Sequence, residues 1–482
     1  MVGQRHQRFG RRGPRRCSPA RRTGATWLAL VGLVGGAALL PSCGVALPDR
    51  AQFLAERCSV RVATAASVDA LDIVAILAMT TATGSDDAAG IARARAIQLG
   101  VNEANSRQGV RGRTFRLRIC DCGGATGETA LVAAELAAAV VADSDAPPVL
   151  LTGGTADTLA VQAATQAKGT LVMSISATSP DITGVADAGL LWRVAPSDRV
   201  QGLALVYLLE KAGAKRVVVF ARADSYGDGL SATVSKNAPA DMDVTVVPIV
   251  LTDASITKAL SFADGKTPDH VVLIGSSTLG ARLLNGFKNH AHLLKSKLLL
   301  SDFLKRTDIF AQLNDSKQLE GALGTTPGDP PGDVFDDFND RFKQLFSVDA
   351  TQQSFTAHAY DATWCVILAH AWALRDGATP PVNGLGLADG LRQLSLPGGV
   401  TVTFEPTAFS EGRKALLAGQ GINVQGASGA LDFDPAIGEP TSAVEVWKVS
   451  ASQVFVPQYW LRADETAGRA APTWTRIPPP KK

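Results

Sequence analysis

The sequence predicts an α/β protein whose parallel strands form two doubly wound sheets. Short apolar runs alternate with helix-like segments about eight times, small hydroxyl residues follow several of these runs, and the alternation stops after residue 325. Two sheets explain this number of alternations better than one very wide sheet. A closed eight-stranded barrel has the same alternation, but the uneven strand spacing and the long non-repeating stretch after residue 325 argue against it.

The individual elements follow from the apolar pattern. Strands are expected over residues 72–78, 113–120, 149–151, 171–175, 216–220, 244–250, 270–274 and 298–300, with two late strands over 426–433 and 444–449. Helices are expected over residues 88–107, 126–141, 334–346, 355–374 and 385–394. Residues 44–70 are interpreted as a polar, irregular lead-in, and the proline-rich end of the chain as a frayed tail.

The N-terminus has the pattern of an export signal. Residues 1–22 carry eight arginines, the first acidic residue is Asp49, and residues 27–40 are uninterruptedly apolar or small. This run is shorter than the roughly 20 residues that a spanning helix needs, but it suits a signal-peptide core. The following LPSCG is similar to a bacterial lipobox and predicts lipidation at Cys43. Secretion without a lipid and an uncleaved anchor are the alternatives.

The charge balance argues against a nucleic-acid partner. The full chain has 47 basic and 45 acidic side chains, but removal of residues 1–42 takes away eight arginines and no acid, which leaves a net charge near −6. Binding to phosphates needs a concentrated basic surface. A composition of 46% hydrophobic and 19% charged residues indicates a packed globular protein.

Four cysteines remain once Cys17 in the leader and Cys43 are set aside. An exported protein meets oxidising conditions, so a disulfide is expected, and we favour Cys58 with Cys122. A metal site at Cys120 and Cys122 is disfavoured, because structural zinc sites use more ligands and wider spacing. Cys365 is expected to be a buried core thiol. The sequence therefore predicts no metal site.

Four segments together resemble the type I periplasmic solute-binding proteins of the leucine/isoleucine/valine-binding branch, which are ligand receptors of ABC importers. The resemblance extends over residues 72–450. It is carried by QLGVNEANSRQGVRGR, by GGTADTLAVQAATQAKGTLVMSISATSPDIT, by RVAPSDRVQGLALVYLLEKAGAKRVVVFARADSYGDGL, and by AYDATWCVILAHAWAL combined with GASGALDFDP. It implies two α/β lobes joined by three chain crossings, with a ligand cleft between the lobes.

The resemblance also implies the domain organisation. The signal peptide is expected to occupy residues 1–42, and the lead-in residues 43–70. Residues 71–196 and 327–424 are expected to form lobe 1, residues 197–326 and 425–460 to form lobe 2, and residues 461–482 to form the tail. The crossings are expected near residues 195–198, 325–328 and 424–426. Closure of such lobes on a ligand is a hinge motion.

Six residues are the candidates for ligand contact. Thr155 follows two glycines at a strand-to-helix turn, and Ser176 and Thr178 lie in the loop after the next strand. By resemblance these positions bind the carboxylate and amino groups of an amino acid. The alternative is that the threonines cap helices or close turns.

The other three candidates come from the second lobe. Tyr226 resembles the tyrosine that enters the cleft, and Asp302 the acid that neutralises a ligand ammonium. Ser276 stands where amino-acid binders often have an aromatic residue, which weakens the expectation of a branched-chain ligand. A packing role for Tyr226 and a helix cap for Asp302 are the alternatives.

No convincing catalytic motif is found, so the protein is predicted not to be an enzyme and to need no cofactor. The expected function is capture of a small polar ligand, an amino acid or related carboxylate, by a monomeric periplasmic or cell-envelope lipoprotein. The expected partners are an ABC permease and, through the lipid at Cys43, the membrane. The alternative is a ligand-sensing or envelope-regulating lipoprotein of the same fold without a transport role.

Overall fold

The computed structural model describes residues 50–62, 69–81, 83–124, 129–142, 145–378, 382–464 and 473–479. The predicted leader and Cys43 lie outside the described residues. Within them, no helix is both long and apolar enough to cross a bilayer.

Lobe 1 is built on a six-stranded sheet. Its strands, in spatial order, are β1 (Cys58–Val62), β3 (Phe115–Asp121), β2 (Leu71–Leu77), β4 (Val149–Thr152), β5 (Leu171–Ser174) and β6 (Leu191–Arg193). From β3 to β6 neighbouring strands are parallel, whereas β1 is antiparallel to β3. The parallel strands are nearly all buried, as expected of a sheet that helices cover on both faces.

The strand β1 corrects the interpretation of residues 44–70 as irregular. The described part of that segment contains a short helix, α1 (Arg50–Arg57), followed directly by β1. Phe53 and Leu54 of this helix pack against the lobe 1 core without being fully buried, and eight residues are too short a segment for this apolar pattern to predict a helix.

Cys58 is bonded to Cys120, and the expected pairing with Cys122 is wrong. Because β1 is antiparallel to β3, Cys58 lies directly opposite Cys120 in the sheet. Cys122 lies beyond the end of β3 and is a buried free thiol. Residues two apart in a strand share a face, so side-chain alternation could not separate Cys120 from Cys122.

Replacing Cys58 with serine is expected to lower the free energy of unfolding by about 4 kcal/mol, because the bond closes a loop of 62 residues in the unfolded chain. Urea unfolding of oxidised protein measures this. Cys122→Ser is the matched control and should leave the Cys58–Cys120 peptide intact in non-reducing mass spectrometry. Loss of that peptide in Cys122→Ser would contradict the pairing.

Lobe 2 is built on an eight-stranded sheet. Its spatial order is β19 (Thr473–Ile477), β18 (Phe455–Asp464), β17 (Val444–Val449), β11 (Leu323–Pro327), β10 (Lys297–Leu300), β9 (His270–Ile274), β7 (Arg216–Arg222) and β8 (Asp243–Ile249). The five strands from β7 to β11 are parallel, and the last three are antiparallel additions.

The C-terminal segment is therefore not wholly a tail, although residues 461–482 were expected to be one. Strand β18 continues to Asp464 and pairs with β19. The ring of Trp474 lies 5.9 Å from that of Tyr207, and the Arg476 guanidinium lies 3.7 Å from the ring of Tyr459. These contacts attach the last described strand to the sheet.

Helices cover both sheets, and α11 is the central helix of lobe 1. The helices are α2 (Ala88–Ser106), α3 (Thr129–Val140), α4 (Thr155–Thr165), α5 (Asp198–Lys211), α6 (Ser225–Asn237), α7 (Asp253–Asp264), α8 (Ser277–Phe287), α9 (Asp308–Gln312), α10 (Asp333–Phe346), α11 (Thr356–Ala373), α12 (Gly384–Leu391) and α13 (Phe409–Leu417). Fifteen of the residues of α11 are buried, which agrees with its apolar sequence on all sides.

Two small sheets complete lobe 1. One contains β12 (Val400–Thr403), β13 (Ile422–Gly426) and β14 (Gly429–Ala430), and the other contains β15 (Phe433–Asp434) and β16 (Glu439–Pro440). Their apolar residues Val424, Leu431 and Phe433 belong to the lobe 1 core. The lobe 1 portion of the chain therefore extends past residue 424, where the sequence placed its end.

The chain passes between the two large sheets three times. The first passage follows β6 at residues 194–197, and the second follows β11 at residues 328–332. The third lies between β16 and β17 at residues 441–443, later than the expected 424–426. The difference arises because β13 continues a lobe 1 sheet instead of entering lobe 2.

Two buried histidines on α11 make the fold sensitive to acid. Burial lowers the pKa of His358 to about 3 and that of His370 to about 4. In the unfolded chain a histidine titrates near pH 6.5, so below that pH only the unfolded chain takes up these protons. The stability that the neutral imidazoles provide is complete above about pH 6.5 and is lost as the pH falls toward the folded values.

We expect each of these histidines to remove roughly 2 kcal/mol of stability between pH 7.5 and pH 5. His370→Gln should reduce this pH-dependent loss by about half, as measured by urea unfolding at the two pH values. An unchanged loss in His370→Gln would rule out this origin of acid sensitivity.

Candidate functional site

The lobe 1 candidates lie together at the carboxyl ends of β4 and β5. Thr155 begins α4, and its hydroxyl accepts a hydrogen bond from the backbone N–H of Ser179 at 3.3 Å. The backbone N–H of Ser176 donates to the carbonyl of Gly153 at 3.3 Å. Both side chains are buried. Because β4 and β5 are adjacent and parallel, their following loops form one edge, where ligands bind in open α/β sheets.

Thr178 joins this edge to lobe 2. Its hydroxyl donates to Asp198 Oδ2 at 2.7 Å, and its carbonyl accepts from the Asp198 backbone N–H at 2.7 Å. Asp198 is the first residue of α5, the first element after the chain leaves lobe 1. The threonine hydroxyl is thus committed to an aspartate that the sequence analysis did not single out.

Tyr226 and Asp302 meet in lobe 2. The hydroxyl of Tyr226 donates to Asp302 Oδ1 at 2.7 Å and is also hydrogen-bonded to the Ser301 hydroxyl at 2.9 Å. Gln201, one turn after Asp198 on α5, donates its amide to the same Asp302 oxygen at 3.0 Å. Tyr226 and Asp302 are 5% and 2% exposed, so both lie in the interior of the molecule.

Asp198 and Asp302 behave as an interacting acidic pair. Burial, followed by the charge of Asp302, raises the pKa of Asp198 well above its ordinary value. Burial also raises the pKa of Asp302, against the hydrogen bonds from Tyr226 and Gln201. Ionising both carboxyls in one low-dielectric site is unfavourable, because the two negative charges repel each other. The ligand-free pair therefore retains a proton up to a higher pH than an ordinary aspartate does.

Ser276 does not join these residues. It is the N-cap of α8, and its hydroxyl accepts a hydrogen bond from the Leu279 backbone N–H at 3.3 Å. This contact satisfies a free donor at the start of the helix. Ser276 therefore acts as a helix cap in this structure.

Three arginines surround Phe303, the residue after Asp302, and the sequence alone did not indicate them as site residues. The guanidinium carbons of Arg93, Arg222 and Arg306 lie 6.0, 5.3 and 5.4 Å from the centre of that ring. Arg93 comes from α2 in lobe 1, whereas the other two come from lobe 2. No spacing rule connects positions so far apart in the chain, so only the fold could reveal this group.

Arg306 is the arginine whose charge is balanced across the lobes. It is 3% exposed and pairs with Asp87 of lobe 1 at 2.6 Å and with Asp308 of lobe 2 at 3.2 Å. Asp87 is also the N-cap of α2, because its other oxygen accepts from the Gly90 backbone N–H. The pair fixes the start of α2 against lobe 2.

The lobes also approach each other at Gly229 on α6. A Cβ atom at this position would lie 2.5 Å from Ser179 Oγ and 3.0 Å from Pro180 Cδ, in the loop that carries Thr178. Only glycine permits this approach without a shift of one lobe. The structure therefore has the two lobes in direct contact around the candidate residues.

Several buried polar atoms in this region have no hydrogen-bond partner. On the basic side they are Arg93 Nη2 and Arg222 Nε, and on the acidic side Asp157 Oδ1, Asp198 Oδ1 and Gln201 Oε1. Buried polar groups without partners are uncommon and cost about 1–3 kcal/mol each. Among the residues described, no group of three or more metal-ligating side chains occurs, here or elsewhere.

The fold and this site define a two-lobed α/β binding protein with a polar interlobe region. The family model of the periplasmic binding proteins matches residues 74–422. The chain belongs to the periplasmic binding protein family, which confirms the resemblance and the fold class expected from the sequence. No curated protein matches it in sequence.

Solved structures share the type I fold. The leucine-binding protein LivK of Thermotoga maritima is 20% identical with a TM-score of 0.64, covering 85% of this chain and 99% of its own. A fatty acid ABC transporter substrate-binding protein from Thermomonospora curvata is 14% identical with a TM-score of 0.64, covering 87% and 94%. An ABC transporter solute-binding protein from R. palustris, in complex with benzoate, is 16% identical with a TM-score of 0.60, covering 84% and 97%.

Proposed function

We propose that this protein is an extracytoplasmic lipoprotein that captures a small polar solute between its lobes and delivers it to an ABC importer. The solute is an amino acid or a related carboxylate. The observation that carries the proposal is the set of unpartnered buried donors and acceptors around Phe303 and the Asp198–Asp302 pair. A polar ligand that provides these missing hydrogen bonds gains interactions that only the closed lobes offer.

The polarity of this region selects among ligands of the family. Solved structures of similar fold include complexes with isoleucine and with benzoate and a fatty acid ABC transporter substrate-binding protein. A purely apolar ligand would leave Arg93 Nη2 and Asp198 Oδ1 without hydrogen-bond partners. An amino acid or a related carboxylate supplies charged groups that these side chains can bind.

Thr155, Ser176, Thr178, Tyr226 and Asp302 are the proposed ligand contacts. Ser276 is left out of this set, because its hydroxyl caps α8. The Tyr226 hydroxyl already bonds to Asp302, and the Thr178 hydroxyl to Asp198. A ligand ammonium near Asp302 would therefore join an existing hydrogen-bond network. Thr155 and Ser176, at the edge of lobe 1, would contact the opposite end of the ligand.

The test is a thermal-shift screen of residues 44–482 against amino acids, amides, small carboxylates and sugars. A ligand at 100 times its Kd adds about 2.7 kcal/mol to the stability of the native state, which is a readable shift. We expect a charged solute to bind, and Tyr226→Phe to weaken it. Binding of none of these solutes to ligand-free protein, together with capture of a stable envelope protein, would favour the regulatory role.

Anchoring through Cys43 has its own test. With the wild-type leader, the protein should label with palmitate and sediment with membranes, whereas Cys43→Ser should do neither. Cys122→Ser is the control, because that thiol is buried in the folded protein. Membrane sedimentation of Cys43→Ser without the label would instead indicate an uncleaved anchor.

A further inference from the structure

The arginines around Phe303 are not equivalent in how their charges are balanced. Arg306 has two carboxylate partners, and Arg222 pairs with Asp224. Arg93 has none: its Nε donates to the backbone carbonyl of Ser354 at 3.3 Å, and its Nη2 is buried without a partner. A buried guanidinium that is not directly paired with a carboxylate is costly, so an anion would be favoured at this position.

The surroundings of Arg93 provide no adequate substitute for an anion. Burial and the charge of Arg306 lower the pKa of Arg93 to about 10, as expected where positive charges crowd together. The charges of Asp87, Asp302 and Asp157 act in the opposite direction, but none of these carboxyls pairs directly with Arg93. Asp87 pairs with Arg306, and Asp302 accepts from Tyr226 and Gln201. Asp157 is buried, and its burial raises its pKa. A carboxyl that resists ionisation neither neutralises Arg93 nor bonds to it, and its own Oδ1 has no partner.

Arg222 brings a second donor to the same place from the other lobe. Its guanidinium carbon lies 5.3 Å from the centre of Phe303 and 5.6 Å from that of Tyr226. Although one Nη pairs with Asp224, its Nε is buried and unpartnered. The two unused donors therefore flank one aromatic ring, one from each lobe, and guanidinium groups bind carboxylates with charge-assisted hydrogen bonds.

We infer that Arg93 and Arg222, arranged around Phe303, form an anion subsite that binds a second carboxylate of the ligand. The solute is then an acidic amino acid or a comparable dicarboxylate. This inference rests on the proposed function. It adds to the proposed function two arginines that lie beside the acidic pair at Asp198 and Asp302. Because one arginine belongs to each lobe, the carboxylate bridges the lobes and favours the closed state.

The experiment compares carboxylates with their neutral isosteres. The probes are glutamate with glutamine, aspartate with asparagine, and succinate with succinamate, each titrated by calorimetry into the wild-type protein. The variants are Arg93→Gln and Arg222→Gln. The matched controls are Arg95→Gln, on the same helix but packed on Phe346, and Arg216→Gln, at the exposed start of β7.

We expect the carboxylate of a pair to bind on the order of 10- to 100-fold more tightly than its amide, the range for a lost charge-assisted hydrogen bond. In Arg93→Gln this ratio should fall toward one while the affinity for the amide changes little, and Arg222→Gln should reduce it in part. The control variants should keep the wild-type ratio. A merely structural role for Arg93 would instead weaken both members of a pair equally.

The outcomes separate this inference from the proposed function. If a neutral or singly charged solute binds tightly and the isosteric pairs bind equally, the function stands and the anion subsite is overturned. An unchanged ratio in Arg93→Gln overturns the subsite as well. If ligand-free protein binds no member of the full solute panel, both the function and the subsite fail.

Discussion

Removal of the Glu439 carboxylate is expected to cost about 3–5 kcal/mol of folding free energy, the range for breaking a buried ion pair from one side. Glu439 lies on β16, and its Oε2 accepts from Arg193 Nε at 2.6 Å. Arg193 ends β6 and is completely buried, and this burial lowers its pKa. In Glu439→Ala the guanidinium would keep its charge without a carboxylate to balance it.

The loss of this ion pair should also disturb the edge of lobe 1 where the candidate ligand contacts lie. Arg193 Nη1 donates to the carbonyls of Ala177 and Ser179 at 3.2 and 2.8 Å, on either side of Thr178. We therefore expect Glu439→Ala to weaken ligand binding as well as stability.

Urea unfolding measures the cost, and the double variant Arg193→Met, Glu439→Leu is its control. Replacing both partners removes the unpaired charge, so the double variant should be more stable than Glu439→Ala. A cost below about 1 kcal/mol for Glu439→Ala would show that the pair is solvated and does not organise the loop.

Binding of an ammonium-bearing ligand is expected to release a proton. In the free protein, burial and mutual repulsion raise the pKa of the Asp198 carboxyl, and burial raises that of Asp302. An ammonium group near the pair favours its ionised form and expels the shared proton. The bound state then holds fewer protons, so affinity should rise with pH until the free pair is itself ionised.

Calorimetry in buffers of different ionisation enthalpy counts the protons released when the tightest-binding amino acid of the solute panel is added. Asp198→Asn should abolish most of the release, and Asp302→Asn should weaken binding on the order of 10- to 100-fold. Asp228→Asn, at an exposed position on α6, should change neither quantity. An affinity that is independent of pH, or that falls as the pH rises through the neutral range, would contradict a protonated pair.

The contribution of the same pair to folding stability depends on pH in the opposite direction to the ligand affinity. A carboxyl whose pKa is raised in the folded state binds more protons there than in the unfolded chain. Its contribution to stability is therefore present at low pH and is lost as the pH rises above the ordinary aspartate value of about 3.9. Asp302→Asn should consequently unfold at higher urea than the wild type at neutral pH, even as it loses affinity.

Much of the fold could be predicted because parallel buried strands are continuous apolar runs. The eight strands expected between residues 72 and 300 correspond to β2, β3, β4, β5, β7, β8, β9 and β10. The strands β1 and β19 were missed because edge strands of mixed polarity lack that signal. The third chain crossing was placed too early because β13 pairs with β12, a strand that the sequence does not distinguish from a loop.

The candidate site was predicted in part, for a physical reason. Thr155, Ser176, Thr178, Tyr226 and Asp302 follow strands, and the ends of parallel strands converge whatever their order in the chain. Arg93, Asp198 and Gln201 lie within helices, where nothing in the local sequence indicates which face meets the other lobe. Their roles depend on how two lobes contact each other, which is a property of the tertiary structure.

The three passages of the chain between the sheets have a consequence for biosynthesis. Neither lobe is a continuous segment, so synthesis of the first 193 residues yields Arg193 long before Glu439 exists to balance it. The sheet of lobe 2 likewise lacks β17, β18 and β19 until residues 444–477 are made. Contacts between such distant residues form slowly. Both lobes thus remain incompletely folded until residues 439–449 have been made. This property suits a polypeptide which we propose must cross a membrane before it folds.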